Sequence, residues 1–259
     1  MMRYPLRLTA DLTMARLAQK SRFALDTSPV QFVDAAEILH HESNHPVSHE
    51  RIREIISSRS PVVWIGGSEP LHHPGVSHLV RAMTQTGHFV FLETDGTLLR
   101  RRIHEFQPLS RFFVTVRFAP AAQRPASKGP RAAAWELSAE GLGAARLSGF
   151  LICVHARVRA QTELGEMAEL IQVARSLDVD GIVISPANGG ANSANPDAAA
   201  LQRKTAEARK LIGSKWWESF SRLVEPVVNG ERNAVQSAEE TGVRVEQKAH
   251  ANEEGVRVA

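Results

Sequence analysis

The chain has 259 residues, 43% of them hydrophobic and 23% charged, enough to bury a core and in the balance of a globular protein. Its formal charge of +3 comes with neither zinc-finger spacing nor an RNA-binding signature, so no nucleic-acid partner is expected. No apolar run approaches the roughly 20 residues of a membrane span, and the single cysteine, Cys153, excludes an intramolecular disulfide and any site built from several of this chain's own thiolates.

The first segment, Leu8 to Lys20, has the spacing of an amphipathic helix and lacks the continuous apolar stretch of a secretory signal, so a cytoplasmic protein is expected. Phe23 to Phe32 reads as a strand with Pro29 in its interior, and Val47 to Ser58 as a helix with Ile52, Ile55 and Ile56 on one face. Pro61 to Ile65 is a short buried strand running into Gly66 and Gly67. A helix at Gly75 to Thr86, a strand at His88 to Glu93 and a helix at Thr97 to Phe106 follow. Arg111 to Phe118 is a strand, and residues 119–133 form a loop rich in Ala, Pro, Arg and Gly.

Trp135 to Leu147 reads as a helix that Gly141 and Gly143 weaken. Then come a strand at Phe150 to Val158, a helix at Leu164 to Leu177, a strand at Gly181 to Ser185 and a helix at Ala198 to Ile212. Trp216, Trp217 and Phe220 are expected to close the open end or side of the core. From Asn229 the sequence turns polar and Glu-rich, so 229–259 is expected to be a flexible tail, after an extension at 1–22 and a single domain at 23–228.

Buried Val- and Ile-rich strands alternating with helices predict a parallel sheet covered by helices. About six units fit, which leaves both a partial barrel and a doubly wound sheet open. In either, ligands gather at the C-terminal ends of the strands.

Trp64-Ile-Gly-Gly-Ser-Glu-Pro-Leu-His-His-Pro74 is similar to the GGEP segment of the radical SAM superfamily, lengthened here by Ser68. Phe91-Leu-Glu-Thr-Asp-Gly-Thr-Leu-Leu99 resembles the ETNGTLL segment after the third strand of many such enzymes, and Val173 to Pro186 resembles the fifth helix and sixth strand. The resemblance covers about residues 23–212. It implies a partial (β/α)6 TIM-like barrel of the radical SAM type and S-adenosylmethionine (SAM) as ligand. The residues it points to are Gly66, Gly67, Ser68, Glu69 and Pro70, with Glu93 and Thr94. Arg157 and Ser185, at strand ends, join this expected cofactor-binding set, where inward-facing cations such as Arg117 and Arg157 favour an anionic ligand.

The superfamily also carries CxxxCxxC after the first strand, three thiolates that bind a 4Fe–4S cluster. Here that spacing falls on Val33, Glu37 and His40, or on Asp11, Ala15 and Ala18, with no cysteine at either place. The reading is therefore a superfamily protein without the cluster and without conventional radical catalysis, in a SAM- or ligand-binding, regulatory or scaffold role. The alternative is an enzyme, either radical SAM with an unconventional cluster or metal-dependent through Glu37, His40, His41, His45 and His73. A small-molecule ligand and a protein partner suit the first reading, and the oligomeric state is left open.

Overall fold

The structure, a computed structural model, describes residues 5–20, 28–38, 49–118, 130–187 and 196–229. Six strands alternate with helices. They are β1 (Val30–Asp34), β2 (Val62–Gly66), β3 (Phe89–Thr94), β4 (Phe112–Phe118), β5 (Leu151–Val158) and β6 (Gly181–Pro186). The helices are α1 (Leu6–Lys20), α2 (Ala35–Ile38), α3 (His49–Ser57), α4 (Val76–Gln85), α5 (Leu99–Arg102), α6 (Pro130–Leu147), α7 (Leu164–Ser176) and α8 (Pro196–Lys210), followed by α9 over residues 215–229.

All strand pairs are parallel, and the strand order is the chain order. An order that never reverses sends every crossover helix to one face, which rules out the doubly wound alternative. The sheet curls into an α/β half-barrel with a helix-covered outer face and a concave inner one.

The register stacks the inward residues in layers. Phe32, Trp64, Phe91 and Phe113 face one another across β1 to β4. The Trp64 and Phe91 rings stack at 5.4 Å and the Phe91 and Phe113 rings at 4.5 Å, nearly parallel in both pairs. This aromatic floor is closed by α9, whose Phe220 lies 5.1 Å from Phe91 and whose Trp217 lies 6.3 Å from Phe113, centre to centre. The expectation that the Trp216, Trp217 and Phe220 cluster closes the core holds. Gly181 makes room for it, since a Cβ there would lie 2.1 Å from the Trp217 ring. Two residues further along each strand the inward positions become polar, and the site begins there.

The free edge of β6 is not left bare. Arg209 Nε on α8 donates to the Ile184 carbonyl at 2.9 Å, and the Ile184 N–H donates to Ser221 Oγ on α9 at 3.1 Å. Side chains thus take over hydrogen bonds that a seventh strand would otherwise make. On the other flank of α9, Trp216 Nε1 donates to Thr9 Oγ1 of α1 at 2.8 Å, and α1 buries Leu8 and Leu12.

Three boundaries differ from the sequence reading. The first strand starts at Val30, beyond Pro29, because proline lacks the N–H that a ladder needs. The helix expected at Thr97 to Phe106 shortens to α5 and a 3-10 turn at Ile103–Glu105. The helix expected from Trp135 begins at Pro130, a residue suited to a first helical turn. Gly141 does not weaken it to breaking, for a Cβ there would come within 2.9 Å of the Gly96 carbonyl and of Leu99 Cβ. That glycine lets α6 approach the turn that follows β3. The helix through 229 takes in the first residue of the expected tail, and the rest of the tail lies outside the described residues.

Candidate functional site

The polar layers on the concave face come from successive strand ends. Asp34 pairs with Gly66, Glu93 with Thr115, Thr115 in turn with Cys153, Arg117 with His155, and Arg157 with Ser185. Side chains alternate along a strand, so Cys153, His155 and Arg157 share one face of β5.

Glu93 is the hub. Its carboxylate is fully buried and accepts from Trp64 Nε1 at 2.9 Å through Oε2. Through Oε1 it meets His155 Nδ1 at 3.1 Å, Arg157 Nη2 at 3.4 Å and Arg117 Nε at 3.7 Å. Burial pushes this carboxyl up, but His155, Arg117 and Trp64 together outweigh burial and hold it at about 2. The far ring nitrogen of His155 is 2.8 Å from Ser185 Oγ.

Glu69 behaves differently. Its Oε1 accepts from the Leu71 N–H at 3.1 Å and Thr94 Oγ1 at 2.6 Å, and its Oε2 accepts from the Asp95 N–H at 2.7 Å. It therefore staples the turn after β2 to the end of β3. Burial raises its pKa above the ordinary carboxylate value, against the hydrogen bonds from Thr94 and Asp95. Arg117 reaches both acids, with Nη2 3.6 Å from Glu69 Oε2 and Nη1 donating to the Gly67 carbonyl at 3.4 Å.

The paired glycines have an internal reason. Gly67 has φ +80°, and a Cβ on it would lie 2.5 Å from both oxygens of Asp34. A Cβ on Gly66 would lie 2.8 Å from Glu93 Oε2. The turn can pass between two carboxylates only because it has no side chains. Ser68 is exposed at its apex, while Pro70 is buried beneath it and opens a 3-10 turn.

Of the expected ligand set, Gly66, Gly67, Glu69, Glu93, Thr94, Arg157 and Ser185 thus gather at one end of the half-barrel, with Ser68 and Pro70 in the adjoining turn. Asp95 caps the following turn, accepting from the Thr97 N–H and Oγ1 at 2.8 and 2.7 Å. Arg117, expected as an inward-facing cation, joins the site, and Asp34, Trp64 and His155 also belong to it, though none of these three was expected there. For His155 a signal existed. Cys153, His155 and Arg157 form a period-2 run of non-aliphatic residues inside an otherwise apolar strand.

The alternative metal set is only partly visible. His40, His41 and His45 lie outside the described residues, and Glu37 is described only as part of the backbone of α2. His73 Nδ1 accepts from the Gly75 N–H at 2.9 Å, a local turn contact. Cys153 is fully buried in β5, its Sγ 3.7 Å from the Val154 carbonyl oxygen, and burial pushes its thiol well above the ordinary value.

No family model matches the sequence, and no curated protein does. Among solved structures, SuiB of Streptococcus suis bound to S-adenosylmethionine is similar, with a TM-score of 0.52 and 11% identity over 80% of this chain and 48% of that one. Archaeal TYW1 is also similar, with a TM-score of 0.44 and 14% identity over 64% of this chain and 53% of that one. A further TYW1 structure, with a lysine-pyruvate adduct bound, has a TM-score of 0.45 and 14% identity over 65% of this chain and 54% of that one. The chain spans about half the length of these proteins.

Proposed function

We propose that this chain, whose fold is that of the radical SAM superfamily, binds SAM or a related amino-acid conjugate at its strand ends without carrying a 4Fe–4S cluster. The observation that carries the reading is the mismatch between the two halves of the expected site. The turn at Gly66 and Gly67 and the charged strand ends are present, whereas this chain has one cysteine in all. That cysteine is buried in a strand with its thiol pKa raised, and a cluster of this kind needs three accessible thiolates. The residues do not fit the cluster.

They do suit a zwitterion. Asp34 and the backbone of Gly66 and Gly67 would hold an ammonium, and Arg117 and Arg157 would hold a carboxylate. The two guanidinium side chains are 27% and 20% exposed, which leaves them within reach of a ligand while Glu93 balances part of their charge. SAM held this way, with no cluster beside it, would be a bound effector or structural ligand, consistent with a regulatory or scaffold role.

Thermal unfolding with increasing SAM tests the reading, using S-adenosylhomocysteine as comparator. Saturable binding raises the melting temperature by about 5–10 °C when SAM reaches a hundred times its Kd. Loss of that rise in Arg157→Ala would agree with a carboxylate held there. An unchanged melting temperature at millimolar SAM would remove SAM as the ligand.

A further inference from the structure

Three strands each supply one side chain to a hydrogen-bonded chain on the concave face. Glu93 Oε1 on β3 is 3.1 Å from His155 Nδ1 on β5, and His155 Nε2 is 2.8 Å from Ser185 Oγ on β6. All three residues are buried, with exposures of 0%, 1% and 1%. Glu93 is ionised at neutral pH and can only accept, so Nδ1 must be the donor toward it. In the neutral ring the lone pair then falls on Nε2, facing the Ser185 hydroxyl. Acid, imidazole and hydroxyl in that order are the arrangement that turns a serine into a nucleophile. A buried serine could be satisfied more simply by a main-chain carbonyl, as Ser221 is by Trp217 one turn earlier on α9.

We propose that Ser185, His155 and Glu93 form a nucleophile–base–acid site that cleaves an ester or thioester carrying a negative charge near its acyl group. Ser185 Oγ bonds to the acyl carbon as its proton passes to His155 Nε2. The imidazolium gives that proton to the departing alcohol or thiol as the carbon–oxygen or carbon–sulfur bond breaks. Water then adds to the acyl-serine by the same proton route, releasing the acid and restoring the hydroxyl.

Arg157 is the cation placed for the developing oxyanion. Its Cα pairs with that of Ser185 across the ladder, and its Nε–H is buried with no hydrogen-bond partner among the described residues. With Arg117 it also supplies the attraction for a negatively charged substrate. Arg157 Nη2 meets Glu93 Oε1 only at a long 3.4 Å, which leaves the guanidinium free to turn toward the oxyanion. The site does not depend on SAM binding.

Labelling the full chain with a fluorophosphonate, without SAM, and reading intact mass and peptide maps tests the proposal. The expected result is one adduct per chain, on Ser185. It disappears in Ser185→Ala and forms at least tenfold more slowly in His155→Gln. Absence of an adduct on the wild-type chain, an adduct only on another residue, or equal labelling of a folded Ser185→Ala overturns the proposal. Circular dichroism establishes the folding of each variant, and if Ser185→Ala does not fold, the wild-type peptide map decides alone.

Discussion

Glu93 on β3 and Glu69 in the turn after β2 both lie beside Arg117 and are shifted in opposite senses. Glu93 is held at about 2 against an ordinary 4.5, so the stability it contributes is full above about pH 4.5 and is lost as pH falls toward 2. A depression of that size corresponds to roughly 3 kcal/mol. Glu69 is raised, so its contribution is full below 4.5 and is lost as pH rises through its folded value. It offsets part of the acid limb. Urea unfolding midpoints between pH 2 and 7 should therefore fall on the acid side in the wild type. Glu93→Gln should be destabilised by about 3–5 kcal/mol at pH 7, since it leaves His155 and two arginines without their carboxylate. It should also flatten the slope between pH 5 and 2, and a wild-type slope surviving in that variant would show that another acid is responsible.

The helix at 215–229 occupies the position that further strands would fill in a closed barrel, and its contact with the sheet rests on a size match. Gly181 opens β6 and Trp217 fills the gap above it, a small residue facing a large one. Trp217→Ala should cost about 3–5 kcal/mol by leaving a cavity next to Phe113 and Phe220. The Trp217 indole N–H has no hydrogen-bond partner among the described residues, so Trp217→Phe should cost much less. Chemical denaturation of the two variants distinguishes them, and equal losses would mean that α9 is held by something other than this packing. The aromatic residues were legible in the sequence as a closing cluster. The helix that carries them was not read as such, because its partner is a glycine 36 residues earlier that only the tertiary contact reveals.

For the molecule as a whole, the cysteine count makes the sharpest prediction. After anaerobic reconstitution, iron and sulfide should remain at background and the visible spectrum should show no cluster absorption. Stoichiometric iron and sulfide, with a spectrum that SAM perturbs, would return the protein to the enzymes of its fold. No helix among the described residues is long and apolar enough to cross a membrane.

The strand–helix alternation, the glycine turn after β2 and the acid near the end of β3 were all readable in the chain, because short continuous apolar runs and glycine pairs are local signals. The single cysteine was equally plain, since residue types are counted from the sequence alone. Which side chains meet was not readable. Glu69 was readable as one of the ligand set, but not its bonds to Thr94 and Asp95, which come from another strand end. His155 sat unnoticed in an apolar run until strand order and register brought it between Glu93 and Ser185. The choice between half-barrel and doubly wound sheet also waited on the fold. A strand's sequence records whether its faces are buried, whereas the order of its neighbours is set by long-range packing of the whole sheet.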